Sequence, residues 1–332
     1  MKGAYHLVVR SAHLKYELDI IRNITIIQGD SATGKTTLAD MIREYVLNGT
    51  DTGITISCNV PCRLIEGNTW REQLEPIHNS IVFIDEGNKF ISSVDFANAI
   101  KNSDNYYVII TRESLQTLPY SVTEIYGIHS SGKYNSLEPV YHSLYRIYGS
   151  KCEICGNYNT VLVEDSNAGY EFYKKIFGDK VNCISANGKD KIFGFLNNRN
   201  NEEKILVIAD GAAFGSQMSR VSDAIRRIKE AELYLPESFE WIILESDILG
   251  DSEVQKIVEQ PETYIDSKKY FSWERFFTAI LVSKSEGTYL KYSKDKLNSA
   301  YLQERIVEKI MSHLPIQKST FMANNTTVST HF

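Results

Sequence analysis

One stretch of the chain has residue types and spacing suited to phosphate chemistry: Gly29-Asp30-Ser31-Ala32-Thr33-Gly34-Lys35-Thr36, followed by Thr37. It matches the G-x-x-x-x-G-K-[ST] spacing. Its glycines permit backbone geometry in which successive N–H groups point inward at phosphate oxygens. A helix starting at the end of the loop adds the partial positive charge of its N-terminus. In this pattern Lys35 reaches the β and γ phosphates and the Thr36 hydroxyl ligates Mg²⁺. The flanks supply the context. Asn23-Ile24-Thr25-Ile26-Ile27-Gln28 predicts a strand, and Leu38, Ile42 and Tyr45 fall on one face of a helix after the loop.

Nucleotide hydrolysis also needs a carboxylate for Mg²⁺ at the end of a buried strand. Ser80-Ile81-Val82-Phe83-Ile84-Asp85-Glu86 supplies an apolar run and then a carboxylate pair. This resembles the Walker B motif of the additional-strand P-loop ATPases. The resemblance implies that Asp85 ligates Mg²⁺ through water and that Glu86 polarises the attacking water. A third apolar run, Tyr106-Tyr107-Val108-Ile109-Ile110, ends in Thr111-Arg112. In related ATPases a polar residue there senses the γ-phosphate, a role open to Thr111 or Arg112; a strand that merely ends in polar residues is the plain alternative.

Tyr5 to Val9 and Leu14 to Leu18 alternate like strands ahead of the loop. That order, with the run into Gly-Lys-Thr-Thr-Leu, resembles ABC-type ATPases. The spacing departs from them. About 45 residues separate Thr36 from Ile81, too few for the helical arm that carries the ABC signature. No Leu-Ser-Gly-Gly-Gln run appears, and Ser130-Ser131-Gly132-Lys133 lies after the acidic strand. A reduced ATPase domain over residues 1–150 is expected, closed by Tyr141 to Tyr148.

The chain has five cysteines, an odd number that predicts reduced thiols. Cys152-Glu153-Ile154-Cys155-Gly156 has the shape of half a zinc ribbon, and Cys58 and Cys62 are the other near pair. The four could together hold Zn²⁺ or be ordinary thiols. Cys183 sits in an apolar run that predicts core.

From Thr160 the pattern alternates strand and helix, which predicts a parallel sheet with helices on both faces. The elements expected are strands at Val161 to Asp165, Val181 to Ser185, Lys204 to Gly211 and Trp241 to Glu245, with helices at Ala168 to Phe177 and Ser219 to Leu233. Their order resembles Toprim domains, found in topoisomerases, primases and overcoming-lysogenization-defect (OLD) nucleases. Those carry a Glu after the first strand and an Asp-x-Asp after a later one, gathered to hold divalent metal. Glu164 matches the first position and Asp210 the second; the match then fails at Ala212. Gly188-Lys189-Asp190-Lys191-Ile192 resembles the glycine-lysine stretch of Toprim-like proteins linked to phage defence. Glu164 and Asp210, helped by Asp165, Glu245 or Asp247, could hold one metal, whereas two-metal cleavage needs several carboxylates to hold cations about 4 Å apart. An active nuclease, a repurposed Toprim domain and an unrelated α/β scaffold with N-capping acids all stay open.

A Toprim-like domain over 151–252, a helical extension over 253–316 and a flexible tail over 317–332 complete the expected α/β architecture. Helices are expected at Glu253 to Glu259, Trp273 to Ser283 and Lys294 to Leu314. Tyr and Lys are mixed over 264–296, a basic aromatic surface for nucleic acid or a solvated helical face. With 332 residues, 42% hydrophobic, and a net charge of -6, two domains are expected and a broadly basic nucleic-acid coat is excluded. No apolar run approaches the roughly 18 to 20 residues of a membrane span, and no signal peptide is evident, so a cytoplasmic chain is expected. ATPase first and Toprim-like second is the order of OLD-family nucleases. The resemblance implies an ATP- and Mg²⁺-dependent hydrolase whose nucleotide state controls an effector on DNA or RNA, in phage defence or a mobile element. The alternative is an ATP-gated module that binds a partner protein or another copy of itself through an inactive Toprim-like domain. A small-molecule kinase fits less well, because Asp85-Glu86 suits water activation.

Overall fold

A computed structural model describes residues 1–29, 34–130, 140–149, 154, 156–178, 181–199 and 203–316. The chain divides into two compact units. The first comprises 1–149, 211–216 and 256–276, and the second 150–210, 217–255 and 277–332. The chain is of the α/β class, with a large mixed sheet in the first unit and a parallel sheet in the second.

The first unit opens on an antiparallel pair, β1 (Tyr5–Arg10) and β2 (Leu14–Ile20), in the register Tyr5↔Ile20. Tyr16, Leu18 and Ile20 alternate inward along β2, the period expected of a strand with one covered face. β3 (Ile24–Ile27) is buried along its whole length. A central parallel strand covered on both faces reads as a continuous apolar run. Then come α1 (Lys35–Asn48), β4 (Thr55–Ser57), β5 (Cys62–Leu64), α2 (Trp70–Leu74) and β6 (Ile81–Ile84). They are followed by α3 (Val94–Ile100), β7 (Tyr106–Ile110), β8 (Ile125–Ser130) and β9 (Val140–Arg146). Among the described residues the strands form one sheet in the order β4-β1-β2-β9-β8-β3-β7-β6-β5. β8, β3, β7, β6 and β5 run mutually parallel. β7 therefore lies between the strand that leads into the glycine loop and the strand that ends in Asp85-Glu86. Leu38, Ala39, Met41 and Ile42 bury one side of α1 in a core shared with Leu7, Val9, Ile27, Phe83 and Val108.

In the second unit β10 (Thr160–Val163), β11 (Asn182–Ser185), β12 (Lys204–Ile208) and β13 (Glu230–Tyr234) form a parallel sheet ordered β11-β10-β12-β13. The helices are α4 (Ala168–Phe177), α5 (Lys189–Asn197), α6 (Met218–Arg227), α7 (Phe239–Glu245) and α10 (Glu304–Met311). α8 (Ser252–Glu259) and α9 (Trp273–Ser285) each run across a boundary between the two units.

Three sequence expectations are corrected here. Trp241 to Glu245 is helical, not a strand. Ser238 caps α7, its Oγ accepting from Trp241 N at 3.1 Å, and the short apolar run is buried in either conformation, so periodicity does not discriminate. The fourth strand lies earlier, at β13, inside the segment expected to be helical. α6 stops at Arg227, Ile228 is extended, and β13 pairs with β12 in the register Lys204↔Glu230. Pairing with a neighbour overrides local helix propensity there. Finally, 294–314 is not one helix. Asn298 Oδ1 accepts from Ala300 N at 3.0 Å, Ser299–Leu302 forms a 3₁₀ turn, and Tyr301 OH donates to Leu290 O at 2.6 Å. Only α10 continues as an α-helix.

Candidate functional site

Three adjacent parallel strands bring their carboxyl ends together. β3 and β7 pair as Ile27↔Ile110, and β6 and β7 as Ile84↔Ile109. Gly29, Thr111-Arg112 and Asp85-Glu86 consequently emerge side by side. The expected loop residues Asp30, Ser31, Ala32 and Thr33 lie outside the described residues. Of the rest, Gly29 and Thr36 are exposed and Thr37 is half-buried. Lys35 is 4% exposed, and its Nζ donates to Gly29 O at 2.6 Å, spanning the two ends of the loop.

Gly34 is the point of steric decision. It has φ +90° and ψ 4°, and Leu38 N donates to its carbonyl at 3.0 Å, starting α1. Tyr16 OH also donates to Gly34 O, at 2.9 Å, and the Tyr16 ring stacks on His142 with centroids 4.3 Å apart. A Cβ on Gly34 would lie 2.9 Å from Tyr16 Oη and 3.2 Å from His142 Cε1. Gly34→Ala should lower stability by about 1–3 kcal/mol, combining a left-handed backbone with that crowding; a thermal melt of the variant checks this. Burial lowers the pKa of His142, which favours its neutral ring against the loop. Tyr16 and His142 were not among the expected site residues. The inward phase of the β2 alternation marks Tyr16 as buried, but its partner is non-local.

Asp85 is half-buried, and burial is the main reason its pKa is raised; Glu86 N, donating to its Oδ1 at 2.8 Å, and Arg43 pull the other way. The Arg43 guanidinium lies 3.7 Å from Asp85 Oδ2 and 3.1 Å from Glu66 Oε2, and it also pairs with Asp40. Glu86 is held by Arg112, Nε to Oε2 at 3.0 Å and Nη2 to Oε1 at 2.9 Å, a two-pronged fit. Thr111 is 3% exposed, and its Oγ1 both donates to Glu113 O at 3.2 Å and accepts from Glu113 N at 3.1 Å. Of the two candidates at the end of β7, Thr111 thus closes a local turn and Arg112 reaches an expected catalytic carboxylate. A cavity of about 510 Å³ lined by Trp70, Leu74, Ile77 and Asn105 sits near the amino ends of β6 and β7, away from these residues.

In the second unit Glu164 and Asp210 do come together, at the ends of the neighbouring strands β10 and β12. Asp210 N donates to Glu164 Oε2 at 3.0 Å. Asp210 Oδ1 accepts from Phe239 N at 3.2 Å, at the start of α7. Asp165 accepts from Ser166 N at 2.7 Å, Asn167 N at 3.1 Å and Gly169 N at 2.7 Å, capping α4. Glu245 is the last residue of α7 and Asp247 follows it, at the opposite end of the helix from the Phe239 N–H that Asp210 accepts. Among the described residues no three His, Cys, Asp or Glu side chains gather in a group that could hold a metal ion. Ala212, the position where the Asp-x-Asp pattern fails, is 2% exposed and belongs to the first unit.

The zinc expectation falls partly outside the described residues, which omit Cys152 and Cys155. Cys62 is buried, and burial, with Cys58 next to it, pushes its thiol up to about 12. Burial likewise pushes the half-buried Cys183 up to about 11. The mixed Tyr and Lys stretch is divided, with Tyr264, Lys268, Lys269 and Tyr270 in the first unit and Lys284, Tyr289, Lys291, Tyr292, Lys294 and Lys296 in the second. It does not form one surface of a single unit. Among the described residues no helix is long and apolar enough to cross a membrane. No protein-family model matches the chain, and no curated protein matches it.

Proposed function

We propose that the first unit binds and hydrolyses ATP with Mg²⁺, and that its nucleotide state controls the second unit, a Toprim-like effector acting on nucleic acid. The observation that carries the reading is the strand order: β7 stands between β3, which leads into the loop, and β6, which ends in Asp85-Glu86. That is the inserted strand the additional-strand resemblance calls for. It puts Gly29 and the Asp85-Glu86 pair at the carboxyl ends of nearby parallel strands, which supports phosphate binding, Mg²⁺ ligation and water orientation there.

The donor chemistry fits Mg²⁺. The Thr36 hydroxyl and the Asp85 carboxylate are hard oxygen donors. Half-burial makes the Asp85 charge costly, and a cation beside it offsets that cost. When bound, Mg²⁺ supplies neutralisation of phosphate charge. Lys35 orients the phosphates, and Glu86 orients water once Arg112 no longer occupies both of its oxygens. Steady-state ATP turnover by the purified chain with Mg²⁺ tests this reading; no turnover above a buffer blank would sink it.

The pairing of Glu164 with Asp210 supports an effector site in the second unit. A second reading, an ATP-gated module that binds a partner protein or another copy without cutting, is favoured by a specific observation: Asp165 and Asp210 spend carboxylate oxygens on capping helices. One pair of variants separates the two roles of Asp210. Asp210→Ala removes the acceptor for Phe239 N, leaving the Ser238 cap in place, and should cost about 0.5–2 kcal/mol in a thermal melt. Asp210→Asn keeps an acceptor for Phe239 N but removes the charge. If the unit cuts plasmid, linear DNA or RNA with Mg²⁺ or Mn²⁺, both variants and Glu164→Ala should lose the cutting, while Asp210→Asn melts near wild type. No metal-dependent cutting by wild type would leave the interaction module in front. The family resemblance points to phage defence or a mobile element as the setting.

A further inference from the structure

The chain crosses from the second unit into the first between Asp210 and Gly211, and returns between Ser216 and Gln217. The six residues between those crossings are gripped by the loop that follows β7. Gln116 Nε2 donates to Ser216 O at 2.7 Å, Gly215 N donates to Tyr120 O at 2.9 Å, and Ser121 Oγ donates to Gly211 O at 3.3 Å. The approach is close enough to need glycine: a Cβ on Gly215 would lie 2.3 Å from the Tyr120 ring and 2.6 Å from Tyr120 O. Phe214 and Ser216 are fully buried, and in the gripping loop Leu115, Leu118 and Tyr120 are buried too. A loop packed this tightly shifts as a body rather than flexing residue by residue.

One end of this loop is Thr111-Arg112, at the end of the strand beside the one that leads to Gly29, with Arg112 holding Glu86. The other holds the residue that directly follows Asp210. We propose that residues 111–121 relay the nucleotide state from the Lys35 loop to the segment 211–216, and through the continuous chain to Asp210 and its partner Glu164. The relay rests on the nucleotide reading given above. A triphosphate on the loop brings negative charge beside Arg112, which otherwise pairs with Glu86. Arginine–phosphate pairing is then the contact that differs between the two states, as any ligand-driven shift requires. Ser216 Oγ is buried without a hydrogen-bond partner among the described residues, so a second arrangement of the segment that satisfied it would recover an interaction missing from the first.

Hydrogen exchange on the full chain, with Mg²⁺ and a non-hydrolysable ATP analogue, tests the relay, with analogue binding measured separately. In wild type the analogue should change exchange at the amides of Asp210 and Gly215 as well as near Arg112. Gln116→Ala, an exposed position, should raise basal exchange at Gly215 by about 5-fold through loss of one hydrogen bond. It should bind the analogue within about twofold of wild type, being outside residues 29–36, yet lose the analogue-dependent change at Asp210 and Gly215. Gly215→Ala should lose it as well; if that variant does not fold, Gln116→Ala still decides. Analogue binding without any change at Asp210 and Gly215, or a full change in Gln116→Ala, overturns the relay and leaves the nucleotide site standing. Absence of analogue binding to wild type overturns both.

Discussion

Lys35→Ala is expected to reduce ATP turnover by about 10²–10³-fold, the loss typical of removing one charged donor aimed at developing charge. It should weaken nucleotide binding as well. Lys35 is nearly inaccessible, and its ammonium already spans the loop to Gly29 O. The loop backbone and the helix N-terminus would remain to attract phosphate, but without the cation that reaches the outer phosphates. Alanine also leaves space where the aliphatic stem packed, so the comparison needs a melt of both proteins. Turnover unchanged in a folded Lys35→Ala variant would remove the ATPase assignment altogether.

Glu86→Gln should separate binding from chemistry. Turnover is expected to fall by about 10²–10⁴-fold, the range for loss of a positioned base. Nucleotide affinity should stay level or tighten, because the amide is nearly isosteric and one negative charge near the phosphates is gone. Stability should change little, since the partner Arg112 is exposed and such pairs contribute roughly 0–1 kcal/mol. A variant that binds nucleotide and does not turn it over would thus owe its defect to Glu86 itself. A variant that turns over like wild type would move the water-orienting role elsewhere at this sheet edge. Opposite binding behaviour of Lys35→Ala and Glu86→Gln, measured on one nucleotide titration, is the sharper form of both expectations.

Much of the sheet was legible along the chain. The strands β3, β6, β7, β10 and β12 are apolar runs buried on both faces, and such runs announce themselves whatever their neighbours do. α1 and α4 carry apolar residues at helical spacing and start where expected. Short elements were harder. β4, β5 and α2 have too few residues for periodicity to register, and Trp241 to Glu245 has the same composition as a buried strand. There Ser238 decides the conformation by capping, while β13 is decided by pairing with β12.

The candidate site divides along the same line. The sequence by itself determined the glycine loop with its lysine, because glycine freedom and a helix start are properties of adjacent residues. It also determined that carboxylates end the apolar strands. Only the tertiary structure decided that Arg112 holds Glu86, that Tyr16 and His142 crowd Gly34, that Asp165 and Asp210 cap helices, and that 211–216 belongs to the first unit. Each of those depends on residues far apart in the chain meeting through strand order and register. Local pattern carries no record of which distant backbone or side chain will arrive, so the partners, and with them the working state of each carboxylate, follow from the packed fold.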